Sequence, residues 1–152
     1  MAASFTAHDI AQWFVCWADT VDAEVSNLEV QKLLYYAQGH SLATSGRPLF
    51  DEPIEAWADG PVVADLYHDL QLFGHDPIDI SLFVPEVLEW DWDDFDPVES
   101  VLTSTWDTYG SLATPAARDN LHLESPWREA LEATGNNIIP LDRLGSFFRH
   151  ER

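Results

Sequence analysis

Two helix starts stand near the N-terminus, and each runs into apolar residues at helical spacing. Thr6 is followed three residues on by Asp9, and Ser26 by Glu29. A side-chain hydroxyl that accepts from the third backbone N–H, with a carboxylate reaching back, forms a capping box. After Thr6, the residues Ile10, Trp13, Phe14, Trp17 and Val21 fall on one helical face. After Ser26, Val30, Leu33, Leu34, Ala37 and Ser41 do the same, until Gly46 and Pro48 stop the helix. The second segment reads as a half-buried, amphipathic helix. A chain that begins this way is committed to helix packing.

The remainder follows with shorter signals. Ile54, Ala56 and Ala58 alternate with Glu55, Trp57 and Asp59, which predicts one short strand. Asp59 or Gly60 is placed to cap a third helix with Pro61 in its first turn, where a missing N–H costs nothing. Val62, Leu66, Leu70 and Phe73 would be its buried stripe and Gly74 its end. Residues 76–97 read as an irregular acidic loop. Asp96–Pro97 with Glu99 opens a fourth helix carrying Val98, Val101, Leu102, Thr105 and Trp106 towards Tyr109–Gly110. A short helix is expected after Thr114–Pro115, another from Ser125–Pro126 to Gly135. Ile138–Ile139 suits a second short strand, and Pro140 to Phe148 a last helix with Leu141, Leu144 and Phe148 inward. The expectation is a mainly α, compact single domain over residues 1–152, with its core over about 7–149. It should hold about six to seven helices and at most a small two-stranded β element.

Charge excludes several functions. Asp and Glu number 27 against 7 Lys and Arg, for a net charge of −20. Such a chain repels phosphate backbones, so nucleic-acid binding by the chain alone is not expected. Seven tryptophans and 46% hydrophobic residues set it apart from disordered acidic proteins, which are poor in aromatics. No apolar run is long enough to span a membrane, and MAASFTAHD lacks the features of a signal peptide. A cytoplasmic location is expected. The one cysteine, Cys16, leaves no internal disulfide and falls among apolar residues.

Candidate chemistry is sparse. No serine sits in a glycine-flanked elbow, and no glycine-rich phosphate loop is present. Asp65, His68 and Asp69 share one predicted helix turn, but an acidic helix makes such groupings by chance. "DWDDFDPVES" has Asp96 where a calcium loop needs glycine and Leu102 where it needs glutamate. No metal or cofactor is expected. "EWDWDDFD" is more suggestive: Trp90, Trp92 and Phe95 interleave with Glu89, Asp91, Asp93, Asp94 and Asp96. Either alternate aromatics pack inward while acids face water, or aromatic anchors with a carboxylate rim meet a basic partner. Lys32, the only lysine, lies among Leu28, Glu29, Tyr35 and Tyr36 at helical spacing, as a structural tie or as a contact.

Together these motifs resemble the SocA-like Panacea antitoxin domain, a family also found in phage-associated proteins. The resemblance rests on Leu28 to Tyr36 (Leu-x-x-Gln-Lys-Leu-Leu-Tyr-Tyr), Pro48–Leu49–Phe50, Ala56–Trp57, Gly60–Pro61–Val62 and Tyr67. In the second half it rests on Tyr109–Gly110, His122, Pro126–Trp127, Ile138–Ile139 and Phe147–Phe148. Leu121 and Asp59 depart from the family's usual residues. The resemblance implies an antitoxin that neutralises a cognate protein toxin by direct binding, without enzymatic activity. A toxin with a basic face would suit this chain's charge. One relative of that kind is a proteolytic adaptor, so a protease adaptor or phage-encoded interaction protein without a toxin is the alternative, with a protease or chaperone as partner. A third reading is an enzyme or small-ligand binder using Lys32, Tyr35, Tyr36, Trp57 and His122. The candidate partner-binding residues are Lys32, Tyr35, Tyr36, Trp57, Asp59, Tyr67, Trp90, Trp92, Phe95 and His122. Gly60, Pro61, Val62, Pro126 and Trp127 are the expected structural motif.

Overall fold

Helix α2, Asn27–Ser45, runs through the middle of the domain. It was expected to be amphipathic, but buried residues occur all round it: Val30, Leu34, Tyr35, Ala37, Gln38 and Gly39 among them. The reason is its neighbours. In the computed structural model, which describes residues 5–85, 90–109, 125–132 and 137–150, other elements pack on several sides of it. These are α1 (Ala7–Thr20), β2 (Gly60–Val62), α3 (Ala64–Leu70), α5 (Glu99–Tyr109) and α7 (Leu141–His150). A helix covered on several sides keeps only a narrow polar strip, here Glu29, Lys32, His40 and Thr44.

Both N-terminal capping boxes form. Thr6 Oγ1 accepts from Asp9 N at 3.1 Å and Asp9 accepts from Thr6 N at 3.0 Å. Ser26 and Glu29 exchange the same pair of bonds. Gly46 ends α2 in the left-handed conformation at φ 73°. On α1, Ile10, Trp13 and Phe14 are buried, but Val21 is 49% exposed because the helix ends at Thr20.

The described residues form seven α-helices and one two-stranded antiparallel sheet, a mainly α fold. The third helix differs from expectation. Gly60, Pro61 and Val62 form strand β2, paired with β1 (Glu55–Trp57) in the register Glu55–Val62, Ala56–Pro61 and Trp57–Gly60. Ala58 and Asp59 make the hairpin turn, and Gly60 holds φ 136°, a region L side chains rarely enter. The helix therefore starts only at Ala64, and Val62 is a strand residue rather than part of its stripe. Ile138 does not form a strand; it makes an isolated antiparallel bridge to Glu55. Ala56 N donates to Asn137 O at 2.7 Å and Ile139 N to Ile54 O at 2.8 Å, so this segment grips the outer edge of β1.

Within residues 76–97, two short helical elements replace part of the expected loop: α4 (Ile80–Phe83), capped by Asp79, and a 3-10 turn over Trp92–Phe95. Helices α6 (Ser125–Glu132) and α7 follow, tied by Arg143, which donates to both carboxylate oxygens of Glu129. Leu144 and Phe148 face inward from α7, whereas Leu141 is 42% exposed at its first turn. The expected helix after Thr114–Pro115 and the stops at Gly110 and Gly135 lie outside the described residues. No helix among the described residues is long and apolar enough to cross a membrane.

Candidate functional site

The hairpin presents an aromatic platform. Trp57, at the end of β1, is half-buried, and its ring meets Tyr67 of α3 at 4.9 Å and 64°. His68 extends the cluster, 5.9 Å from Tyr67 and 6.4 Å from Trp57. Asp59 stands exposed at the turn, two residues from Trp57. Trp57 Nε1 donates to Glu55 Oε1 at 3.3 Å, which fixes the indole against its own strand. The rim thus carries exposed Asp59 and half-buried Glu55 near the aromatic rings in sequence, a combination suited to cationic side chains.

Buried polar residues hold this platform in place. Trp127 of α6 is buried and donates Nε1–H to the Trp57 carbonyl at 3.1 Å. Gln31 of α2 accepts from Val63 N at 2.9 Å and donates to Asn27 Oδ1 at 3.0 Å. Asn27 in turn donates to the Tyr67 carbonyl at 3.2 Å. Val63 begins α3 with no side-chain cap, and Gln31 takes its N–H instead, so the β2–α3 junction is anchored to α2. Gln31 stands in the Leu28–Tyr36 motif without a role that the sequence assigns, and Asn27 stands outside that motif. A glutamine inside a run of leucines was the available signal.

A second glutamine does comparable work. Gln38 is fully buried, accepts from Leu49 N at 2.6 Å and donates to Phe50 O at 2.9 Å. The Pro48–Leu49–Phe50 turn is thereby fastened to the helix it follows.

The candidate partner-binding residues divide by position. Trp57, Asp59 and Tyr67 come together on the platform. Tyr35 and Tyr36 lie in the core, at 0% and 3% exposure. Tyr36 stacks on Tyr109 at 3.7 Å. Phe95 is fully buried against Phe5, and Trp90 is buried with Nε1 donating to Gln12 Oε1 at 3.1 Å. Trp92 alone of that segment's aromatics faces outward, at 43% exposure. Lys32 is half-buried on α2 beside Gln31. His122 lies outside the described residues. Gly60, Pro61, Val62, Pro126 and Trp127 are all buried. Of the Asp65, His68 and Asp69 grouping, Asp69 is engaged by His8, with His8 Nε2 and Asp69 Oδ2 at 2.6 Å. Cys16 is half-buried on α1, and burial, with the Asp19 charge second, raises its thiol above the ordinary pKa.

The result is a mainly α domain with an antiparallel hairpin, its motif residues packed inward and an aromatic edge turned outward. The chain belongs to the Antitoxin SocA-like, Panacea domain family, whose model matches residues 30–128. It is similar to Antitoxin SocA of Caulobacter vibrioides (strain NA1000 / CB15N), with 42% identity over 64 residues. That match covers 42% of this chain and 34% of the relative's length. No solved structure matches.

Proposed function

We propose that this chain is an antitoxin that neutralises a protein toxin by binding it directly, without catalysis. Membership of the SocA-like family carries the reading, supported by the similarity to a protein named as an antitoxin. The platform of Trp57, Tyr67 and Asp59 offers the chemistry: rigid aromatic anchors beside carboxylates, on a chain of net charge −20. Such a surface speeds encounter with a basic protein and gives the contact specificity. The raised Cys16 thiol is a poor nucleophile, which speaks against catalysis through that residue. On this reading the chain meets its toxin in the cytoplasm, and the acidic surface leaves promoter DNA unbound at physiological salt.

The test is rescue. The protein encoded beside this chain is expressed alone, and then together with this chain, with growth as the readout. The expected result is lethality that this chain relieves, and a loss of relief with Trp57→Ala/Tyr67→Ala at unchanged soluble level. Failure to relieve any lethal neighbour overturns the antitoxin reading.

A further inference from the structure

We propose that the groove between the end of α1 and the start of α5 takes an arginine side chain from a basic polypeptide. The groove has a volume of about 390 Å³ and is lined by Trp17, Thr20, Trp92, Asp93, Asp96 and Glu99. It is separate from the hairpin platform and shares no residue with it.

Three independent features point to a cation with a flat face. The first is the aromatic wall. Trp92 is 43% exposed, yet its ring is held by Trp13, Trp17 and Trp90 at 5.8, 6.2 and 5.4 Å, all near edge-on. An indole held by three neighbours and still 43% exposed offers ring surface for a cation with little ordering cost on binding. The second is charge. Asp93, Asp96 and Glu99 are exposed, and among the described residues none of them enters an ion pair. The sequence has no Lys or Arg between Pro48 and Ala117, and none before Lys32. The third is the helix end. Thr20 closes α1, whose last turn holds no basic residue, although backbone carbonyls there favour a positive charge.

Arginine fits this set better than lysine. Its planar guanidinium stacks on an indole while its fork reaches carboxylates at the rim. Asp93 and Glu99 also sit in the first turns of their own helices, where a carboxylate is favourable; Asp96 follows the 3-10 turn as its C-cap. The proposal rests on the protein-binding reading only for who supplies the arginine.

The experiment titrates the full chain at 150 mM NaCl, about physiological ionic strength. The probe is the peptide acetyl-Gly-Ser-Arg-Gly-Arg-Ser-amide, followed by tryptophan fluorescence and calorimetry. Its lysine counterpart is the comparison. The expected result is about threefold or greater preference for the arginine peptide, and about fivefold or greater weakening in Trp92→Ala. Asp96→Asn/Glu99→Gln removes charge without touching the core and should weaken binding by at least as much. Asp65→Asn/Asp76→Asn, exposed elsewhere, should leave affinity within about twofold. Equal weakening by both charge pairs would show diffuse attraction and overturn the site. So would unchanged binding in Trp92→Ala, or a concentration-dependent dimer that Trp92→Ala abolishes in place of peptide binding. Toxin rescue is scored separately: its failure with intact peptide binding sinks the antitoxin reading and leaves the groove standing.

Discussion

Trp127 donates its indole N–H to the main-chain carbonyl of Trp57 across 3.1 Å, joining residues 70 apart in sequence. The buried Trp127 of helix α6 therefore supports the strand that carries the platform. Trp127→Phe keeps an aromatic ring in the core but removes the donor. We expect about 1–3 kcal/mol of lost stability, read from urea melts. The Trp57 edge should also become more open to quenchers, since its strand loses a prop.

Gln38→Leu is the sharper test of the buried polar ties. It strips the partners from both Leu49 N and Phe50 O. Two groups left unsatisfied in the core predict a loss of about 2–4 kcal/mol. Thr44→Ala, whose exposed hydroxyl bonds back to the His40 and Ser41 carbonyls at 2.9 and 3.4 Å, should change stability by less than about 0.5 kcal/mol. Equal effects of the two would refute the role given to Gln38.

Gly39→Ala probes the seam between α2 and α7. Alanine favours a helix by about 1 kcal/mol over glycine. Here its methyl would collide with the Phe148 ring, and overpacking costs about 1–3 kcal/mol. A net fall in Tm is expected, with part of it recovered by adding Phe148→Leu, which makes room. A rise in Tm for the single variant would mean that Phe148 does not dock there.

Cys16 gives a pH prediction. Burial, and secondly Asp19, raises its thiol pKa in the folded state. The folded protein thus holds its proton over a range where the unfolded chain has lost it. Its contribution to stability is full below the ordinary thiol pKa and falls as pH rises through the raised value. At neutral pH the folded thiol should react with an aromatic disulfide reagent more slowly than the urea-unfolded chain, and the ratio should shrink at alkaline pH. Faster reaction when folded would contradict this.

Local grammar was the legible part of this fold. The boxes at Thr6–Asp9 and Ser26–Glu29, and the stop at Gly46, depend on side chains meeting backbone within a few residues. The hairpin was not legible, because a proline that suits a helix's first turn also suits a short edge strand. What decided for β2 was pairing with Glu55–Trp57 and the positive φ of Gly60. The burial of α2 on several sides depends on helices far along the chain. For the same reason the roles of Gln31 and Gln38 are not legible in sequence, since their partners are backbone groups 32 and 11 residues away. At the candidate site, Trp57, Asp59 and Tyr67 could be read from motif residues. The outward turn of Trp92 against the inward turns of Trp90 and Phe95 could not, because the 3-10 turn over Trp92–Phe95 breaks the simple alternation.

The placement of α2 has a consequence for biosynthesis. The helix emerges from the ribosome well before Phe148, which closes over Gly39, Tyr35 and Tyr36. Until then an apolar flank stays uncovered, and the nascent chain depends on its dense negative charge to stay apart from its neighbours. A fragment cut to the matched span, residues 30–128, would hold the family's signature and lack the helix that seals it.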